Sequence, residues 1–522
     1  MPKHLFIIEA PGKRKMLAHV LRQSGLFDVE VMATVGHLGA NPEGFNPLAV
    51  DGEYRETQYH LKPDRVRLAA EIGEVAEKST HIYLASDDDQ EGDVIARDIL
   101  RFCLPDALHD KVRRVRLRAL SPGEVRQALD NAAPIEPLAA ARGDARRTLD
   151  RLIGSLSNER GAVGRVQGSA LRLLSTQRPV VGVATHTLAC ADGGAPFVAQ
   201  APVYAGSPKP ITFGANADEV TVRVGSRETG VLATQALNHD EIVLSASLVT
   251  GAEPAAIGKA MQGLYERGKM SYPRAKDHGI TPDALRRLQA IARTHGAAFD
   301  PGLVTAVREA DGAYAHEAPN PLVFDLPLNR ALALMTLEDQ VLVHLTRNLL
   351  DVGMAATVER PLMADLAALP REAQCLNWCR VTPAARRLWV EKAPVAGIKL
   401  WTKPQSLLHF MSHHGLGRPS TILNHVDKFL NRGLVTEDFD LTRVGHEWCN
   451  QIIELFGHQN ISAMIENYID QHCDAPEFMV AEMVKLCGLS AVETTVRDNN
   501  PYDLDENRNE ATEITAGAFP GD

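Results

Sequence analysis

LASDDDQEGD, residues 84–93, packs five carboxylates into ten positions. It follows the short apolar run HIYLAS and leads into EGDVIARDILRFC, whose apolar residues recur at helical spacing. A buried strand that ends in carboxylates and turns into a helix is where open α/β sheets place their sites, beyond the carboxyl ends of the strands. In extended geometry Asp87, Asp89 and Glu91 share one face. Crowded carboxylates repel one another unless a cation neutralises them. Hard oxygen ligands suit Mg2+, which keeps several waters and often meets phosphate. A solvated acidic loop would use the same letters; the strand before it and Gly92 after it favour a built turn.

Outward from this stretch, strand and helix patterns alternate through the first 135 residues. HLFIIEA reads as a second strand and ends at Glu9, which is placed to join the acidic site, with Lys13 placed to contact a phosphate. RKMLAHVLRQSG is helical, RVRLRAL alternates like a strand, and SPGEVRQALDNA opens a helix with Ser121 as N-cap and Pro122 in the first position. Such alternation predicts a mostly parallel α/β sheet. Residues 140–178 are helical and rich in arginine. Residues 194–250 read as short strands, PVYAGSPKPITFG and EIVLSASLV among them. Helical patterns cover 254–295, strands with a long helix near 336–350 cover 322–401, and helices around the turn HHGLGRPST cover 403–474. A chain of 522 residues implies about three or four domains.

No apolar run approaches the roughly 18–20 residues needed to span a bilayer, and no signal peptide is seen. Seven cysteines without paired zinc spacing suit a reducing compartment. A cytoplasmic chain that avoids membranes is expected. Aromatic residues make up 5% of the chain, which argues against extensive base-stacking platforms. The net charge of −11 is unevenly spread. Basic residues dominate from Arg97 to Arg178, and a local basic field can hold phosphate on an acidic protein. The tail 491–522 is acidic, polar and expected to be disordered.

GLYERGKMSYPR, residues 263–274, begins like a phosphate-binding P-loop, but Met270 stands where Ser or Thr is required. Ile257, Met261 and Leu264 share one helical face, Pro254 can open that helix and Gly268 can cap its end. The Gly-Lys pair therefore closes a helix, where carbonyls repel phosphate, instead of opening one. No nucleotide cofactor is expected.

The strand ending in Glu9 and the later D-x-D-x-E-G strand end together resemble the Toprim domain. ARGDARRTLDRLIGSLSNERGAVGRVQGSALRLL, MSYPR, AHEAPNP and GLGRPST then resemble, in the same order, segments of the type IA DNA topoisomerases. That resemblance implies a multidomain α/β, α and β protein, with a four-domain toroidal core opened by an N-terminal Toprim α/β domain. The implied division is 1–140 for the Toprim domain and 141–193 with 402–490 for a helical DNA-binding domain. Residues 194–253 with 323–401 would form a β-rich arch, and 254–322 a small helical domain carrying the tyrosine. It makes Tyr272 the nucleophile, Arg274 its cationic neighbour, and Glu9, Lys13 and His316 further catalytic-site residues. Asp87, Asp89 and Glu91 would hold Mg2+. Arg146, Arg147, Arg151, Arg165, Gln167, Arg418, Ser420 and Thr421 would contact DNA, single-stranded or as underwound duplex. The implied reaction is ATP-independent cleavage of one strand through a 5′-phosphotyrosyl link, strand passage and religation, relaxing or decatenating DNA. The implied molecule is a monomer. The chain stops without the Cys-rich C-terminal domains of many relatives, and it would either bind DNA weakly or borrow a protein partner in their place. Gln90, Asp93, Ala275, Lys276 and Asn320 depart from the family pattern. The alternatives are a DNA-binding relative whose site has drifted and a Toprim nuclease or primase.

Overall fold

The computed structural model describes residues 3–156, 164–207, 220–304, 317–389, 394–489 and, beyond these, 492, 493, 495 and 496. His316 and the tail beyond Val496 lie outside the described residues. The chain divides into two compact units, one of residues 1–117, 122–175 and 443–522, the other of 118–121 and 176–442.

The first unit is built on a parallel sheet. Strands β1 (His4–Ile8) and β2 (Val29–Ala33) are joined by helix α1 (Arg14–Gln23). A short ribbon pairs β3 (Gly39–Ala40) with β4 (His60–Leu61). Helix α2 (Val66–Glu77) leads to β5 (His81–Leu84), and α3 (Gln90–Cys103) to β6 (Val112–Arg114). The strand order is β2-β1-β5-β6, all parallel. The central strand β1 is apolar on both faces, as a strand covered by helices on each side must be. Leu5, Ile7, Ile82, Leu84, Ile95 and Ile99 fill the core between the sheet and α3. The expected strand RVRLRAL pairs only over its first part. Its alternation persists, with Val115, Leu117 and Ala119 buried, but beyond Arg114 the ladder is reduced to a single bridge from Leu117 to Asp87. Helix α4 (Pro122–Asp130) begins at the expected proline. The Arg-rich segment forms α5 (Ala141–Ser155) and α6 (Arg165–Leu174).

In the second unit β7 (Val180–Cys190) pairs with β8 (Phe197–Tyr204), and β9 (Thr221–Val222) adds to β7 in parallel. Strand β10 (Val224–Val231) follows. EIVLSASLV, expected as a strand, is instead inside helix α7 (His239–Thr250). The ends decide it. Asn238 and Glu241 form a reciprocal capping box, and Gly251 closes the helix at φ +77°. Between those caps the apolar run buries Ile242, Val243 and Ala246 on one face, so local capping overrides β-propensity. Helix α8 (Pro254–Glu266) ends at Gly268, φ +66°, where Lys269 N–H returns to the Leu264 carbonyl. Helices α9 (Pro282–His295) and α10 (Leu337–Val352) follow, then β11 (Ala355–Pro361), α11 (Met363–Leu366), α12 (Arg371–Gln374), β12 (Arg380–Pro383) and β13 (Gly397–Leu400). Strands β10-β11-β12 form an antiparallel sheet, and β13 joins β7. Helices α13 (Lys403–His413) and α14 (Ile422–Asn431) complete the unit. The chain then returns to the first unit as α15 (Arg443–Phe456), α16 (Ile461–Gln471) and α17 (Pro476–Leu486). Among the described residues no helix is long and apolar enough to cross a membrane.

Candidate active site

In the first unit the acidic turn sits at the end of β5. Asp89 is the N-cap of α3 and accepts the Gly92 N–H at 2.7 Å. The turn folds back so tightly that a Cβ on Gly92 would stand 2.0 Å from the Asp87 carbonyl oxygen, so only glycine fits. Asp87 is buried and paired with the buried Lys13 ammonium, delivered by the turn Pro11–Lys13 after β1. Glu91 meets His37 Nε2 at 3.0 Å. Burial pushes the His37 imidazole down, but the Glu91 hydrogen bond and the charges of Glu91, Asp98 and Glu9 outweigh it, and the net shift is upward. Glu9 thus shares its field with Glu91 across His37. A lone loop histidine carries no sequence pattern; its only local cue was the neighbouring Gly36.

The three carboxylates expected to hold a metal do not converge into one cage. Among the described residues no three Asp, Glu, His or Cys side chains converge as metal ligands. The donor chemistry still fits Mg2+, which needs only one or two carboxylates when waters and phosphate complete its shell. The Lys13 ammonium on Asp87 shows that this carboxylate calls for a cation. The other acids are structural. Asp88 accepts from Arg116 at 3.0 Å, and Asp93 from Arg114 at 3.0 Å. Asp93, a departure in sequence, is therefore a buried partner of β6.

The Arg-rich helices turn most of their cations inward. Arg146 donates to Glu466 through Nε and Nη2, both at 3.1 Å, and to Gln90 Oε1 at 2.6 Å. Arg165 reaches Glu466 at 2.8 Å and Asp150 at 2.8 Å. Arg147 grips Glu56 with two bonds, 2.9 and 2.6 Å. Arg151 donates to the carbonyls of Leu48, Pro42 and Pro47. Gln167 is buried. Gln90 gains a reason: its carbonyl oxygen receives Arg146 and its amide donates to Asp470 at 2.9 Å, a place where a second guanidinium would be repelled.

In the second unit the stretch MSYPRA is a turn pinned from several sides. Tyr272 N–H donates to the Arg118 carbonyl at 3.0 Å, and Ser271 N–H to the Asn320 carbonyl at 2.9 Å. Asn320 is fully buried. Its amide nitrogen donates to Ser271 Oγ at 3.0 Å and Glu317 Oε1 at 2.8 Å, and its oxygen accepts from Arg287 at 2.9 Å. Asn320 is thus an internal hub beneath the turn. Tyr272 is 4% exposed, its ring edge-on to Tyr265 with centroids 5.5 Å apart. Ala275 is buried and Lys276 exposed. Arg274 lines a cavity of about 250 Å³ together with Lys259, Gln262, Ser420 and Asn424. The fold thereby brings Arg274 and Ser420 together. Arg418 and Thr421 close the turn before α14 on each other, Thr421 N–H donating to the Arg418 carbonyl at 2.8 Å.

Comparison with known proteins gives matches of one kind. The Toprim domain matches residues 4–120. DNA topoisomerase 1 of Aquifex aeolicus is 24% identical over 483 residues, which cover 83% of this chain and 87% of that protein. DNA topoisomerase 1 of Campylobacter jejuni is 29% identical over 182 residues, 33% of this chain and 25% of that one. Full-length topoisomerase I of Thermotoga maritima shares the fold, with a TM-score of 0.64 at 18% identity over 95% of this chain and 90% of that one. A Toprim domain at the head, a fold shared along nearly the whole chain and relatives of one kind support a type IA DNA topoisomerase.

Proposed function

We propose that the chain cuts and reseals one strand of DNA through a covalent link to Tyr272, without ATP. The observation that carries this reading is the pinned turn, which holds Tyr272 two residues from an arginine that lines a cavity with Lys259 and Ser420. Tyr272 Oη attacks phosphorus and the bond from phosphorus to the 3′-oxygen breaks. The phenol proton leaves to a base, and the 3′-oxygen takes a proton from an acid, Glu9 in this reading, to depart as a hydroxyl. The phosphotyrosyl ester preserves the bond, so the 3′-hydroxyl can attack it, expel Tyr272 and restore the strand once another strand has passed.

A tyrosine of ordinary pKa about 10 is a weak nucleophile. Arg274 and Lys13 therefore stabilise charge on the phosphoryl oxygens. One or two of Asp87, Asp89 and Glu91, with waters and phosphate, would hold Mg2+, which when bound would neutralise these acids and align the phosphate. Ser420, Arg418 and Thr421 position the backbone of the strand. His316 belongs to the same reading by its place in the AHEA segment.

The test is negatively supercoiled plasmid with Mg2+ and no ATP, beside Tyr272→Phe. Stepwise relaxation that the variant loses is the expected result. Nicking that survives Tyr272→Phe would mark a nuclease. Binding without any change of topology, on single-stranded circles as well, would mark a DNA-binding relative.

A further inference from the structure

The turn that carries Tyr272 and Arg274 owes its shape to a residue outside the motifs. His239, the first residue of α7, grips it on both sides of Arg274. Its backbone N–H donates to the Ala275 carbonyl at 2.9 Å, and its ring Nδ1 lies 2.8 Å from the Pro273 carbonyl. A carbonyl can only accept, so Nδ1 carries the proton and Nε2 is left as an acceptor. The ring is 4% exposed and lines the same cavity as Arg274, Lys259 and Ser420. Nε2 has no hydrogen-bond partner among the described residues. The grip is rigid at its base, because the Asn238–Glu241 capping box fixes where α7 begins. The far end of the turn is tied to the same segment, His278 Nδ1–H donating to the Ala236 carbonyl at 2.9 Å.

We propose that His239 is a positioning residue for Arg274: by holding the carbonyls on either side of that arginine it sets where the guanidinium stands in the cavity. The inference rests on the reading of Tyr272 as nucleophile. Positioning of this kind matters, since a misplacement of about 1 Å can cost about 100-fold in rate.

The charges around the ring add a second consequence. Burial presses the imidazole below the ordinary histidine value; Asp240 and the Pro273 carbonyl pull the other way, and Arg274 presses it down again. Lys259 from α8 and Asp427 from α14 also line the cavity. A proton on His239 would set a new cation against Arg274 and Lys259, with Asp240 and Asp427 as the nearby acids.

The experiment compares Tyr272→Phe, His239→Ala and His239→Asn in the full chain. It measures single-turnover cleavage of an end-labelled single-stranded oligonucleotide with Mg2+, its Kd, and the rate from pH 5 to 8. Asparagine can present an N–H to Pro273 from nearly the place of Nδ1; alanine cannot. His239→Ala is expected to lower the cleavage rate by about 10–100-fold with the oligonucleotide Kd within about twofold. His239→Asn is expected to recover most of the rate and to lack the acid fall that the wild-type chain shows. Wild-type rates in His239→Ala, or His239→Asn as slow as His239→Ala, would overturn the proposal. If His239→Ala does not fold, the pH profile decides, and an unchanged acid fall in His239→Asn overturns it. A covalent adduct surviving in Tyr272→Phe would sink the underlying reading whatever His239 does. A silent Tyr272→Phe beside a normal His239→Ala would sink the positioning role alone.

Discussion

Glu466 is the place to test what the Arg-rich helices are for. It is 4% exposed and accepts three hydrogen bonds, from Arg146 Nε and Nη2 and from Arg165 Nη1. Those guanidiniums are themselves 8% and 4% exposed. Glu466→Ala removes the acceptor common to both. Breaking a buried ion pair from one side costs about 3–5 kcal/mol, because a desolvated charge is left without its counter-ion. Here each arginine keeps other acceptors, Gln90 for Arg146 and Asp150 with Ser462 for Arg165, so the lower end, about 3 kcal/mol, applies. For a unit of about 250 residues, 1 kcal/mol moves the unfolding midpoint by about 2–4 °C. The expected drop is therefore about 6–12 °C in the transition of the first unit, read by scanning calorimetry or circular dichroism. Glu466→Gln, which keeps an acceptor and loses the charge, should fall between. Removing Arg165 together with Glu466 should cost less than the two separate losses added. A shift under about 2 °C for Glu466→Ala, with DNA affinity lost in Arg165→Ala at unchanged stability, would refute the structural role of this network.

Other perturbations follow from the same geometry. Asn320→Ala strips partners from Ser271, Glu317 and Arg287 beneath the Tyr272 turn; it should cost about 1–3 kcal/mol, read as a lowered unfolding midpoint, and slow oligonucleotide cleavage. Asp365 accepts two side-chain bonds and one backbone bond from Arg223, which with the charge of Arg223 hold its carboxyl down at about 2, against 3.8 when free. A depressed acid stabilises above its unfolded value and loses that contribution as pH falls through the folded one. Asp365→Asn should therefore flatten the stability profile between about pH 4 and pH 2, measured by acid titration of the fold. Thiol labelling of the native chain should modify Cys375 and Cys473 first. Burial pushes the Cys103 and Cys487 thiols up to about 12 and about 11, so they should react only on unfolding.

The parallel sheet was legible because its strands are short, apolar and separated by helices of clear apolar spacing, and α4 begins at Pro122 as the sequence implied. The P-loop-like letters were legible for the same reason: Pro254 and Gly268 mark the two ends of one helix. EIVLSASLV misled because β-branched residues speak for a strand, while the capping box that overrides them lies just outside the run. Residue type announced the arginines of α5 and α6 but not their partners. Glu466 stands in a segment with no pattern linking it to Arg146, so an inward-facing network reads, in one dimension, like a basic DNA-binding face. His239 escaped for a related reason: it works through backbone carbonyls, which every sequence contains and none displays; Asn320 stood out only as a departure, because its side-chain partners Ser271 and Arg287 lie 49 and 33 residues away.

Glu466 lies 320 residues downstream of Arg146. At a translation rate of about 5–20 residues per second, roughly 16–64 s pass on the ribosome between the appearance of the two. During that interval the N-terminal sheet and the Arg-rich helices exist without the helices that neutralise and cover them. The nascent chain then holds Arg146 and Arg165 without the carboxylate they share, so the interior that buries them cannot close at low cost. Only when α16 emerges do both guanidiniums meet that carboxylate, so closure of this interior waits on a helix far downstream of α5 and α6.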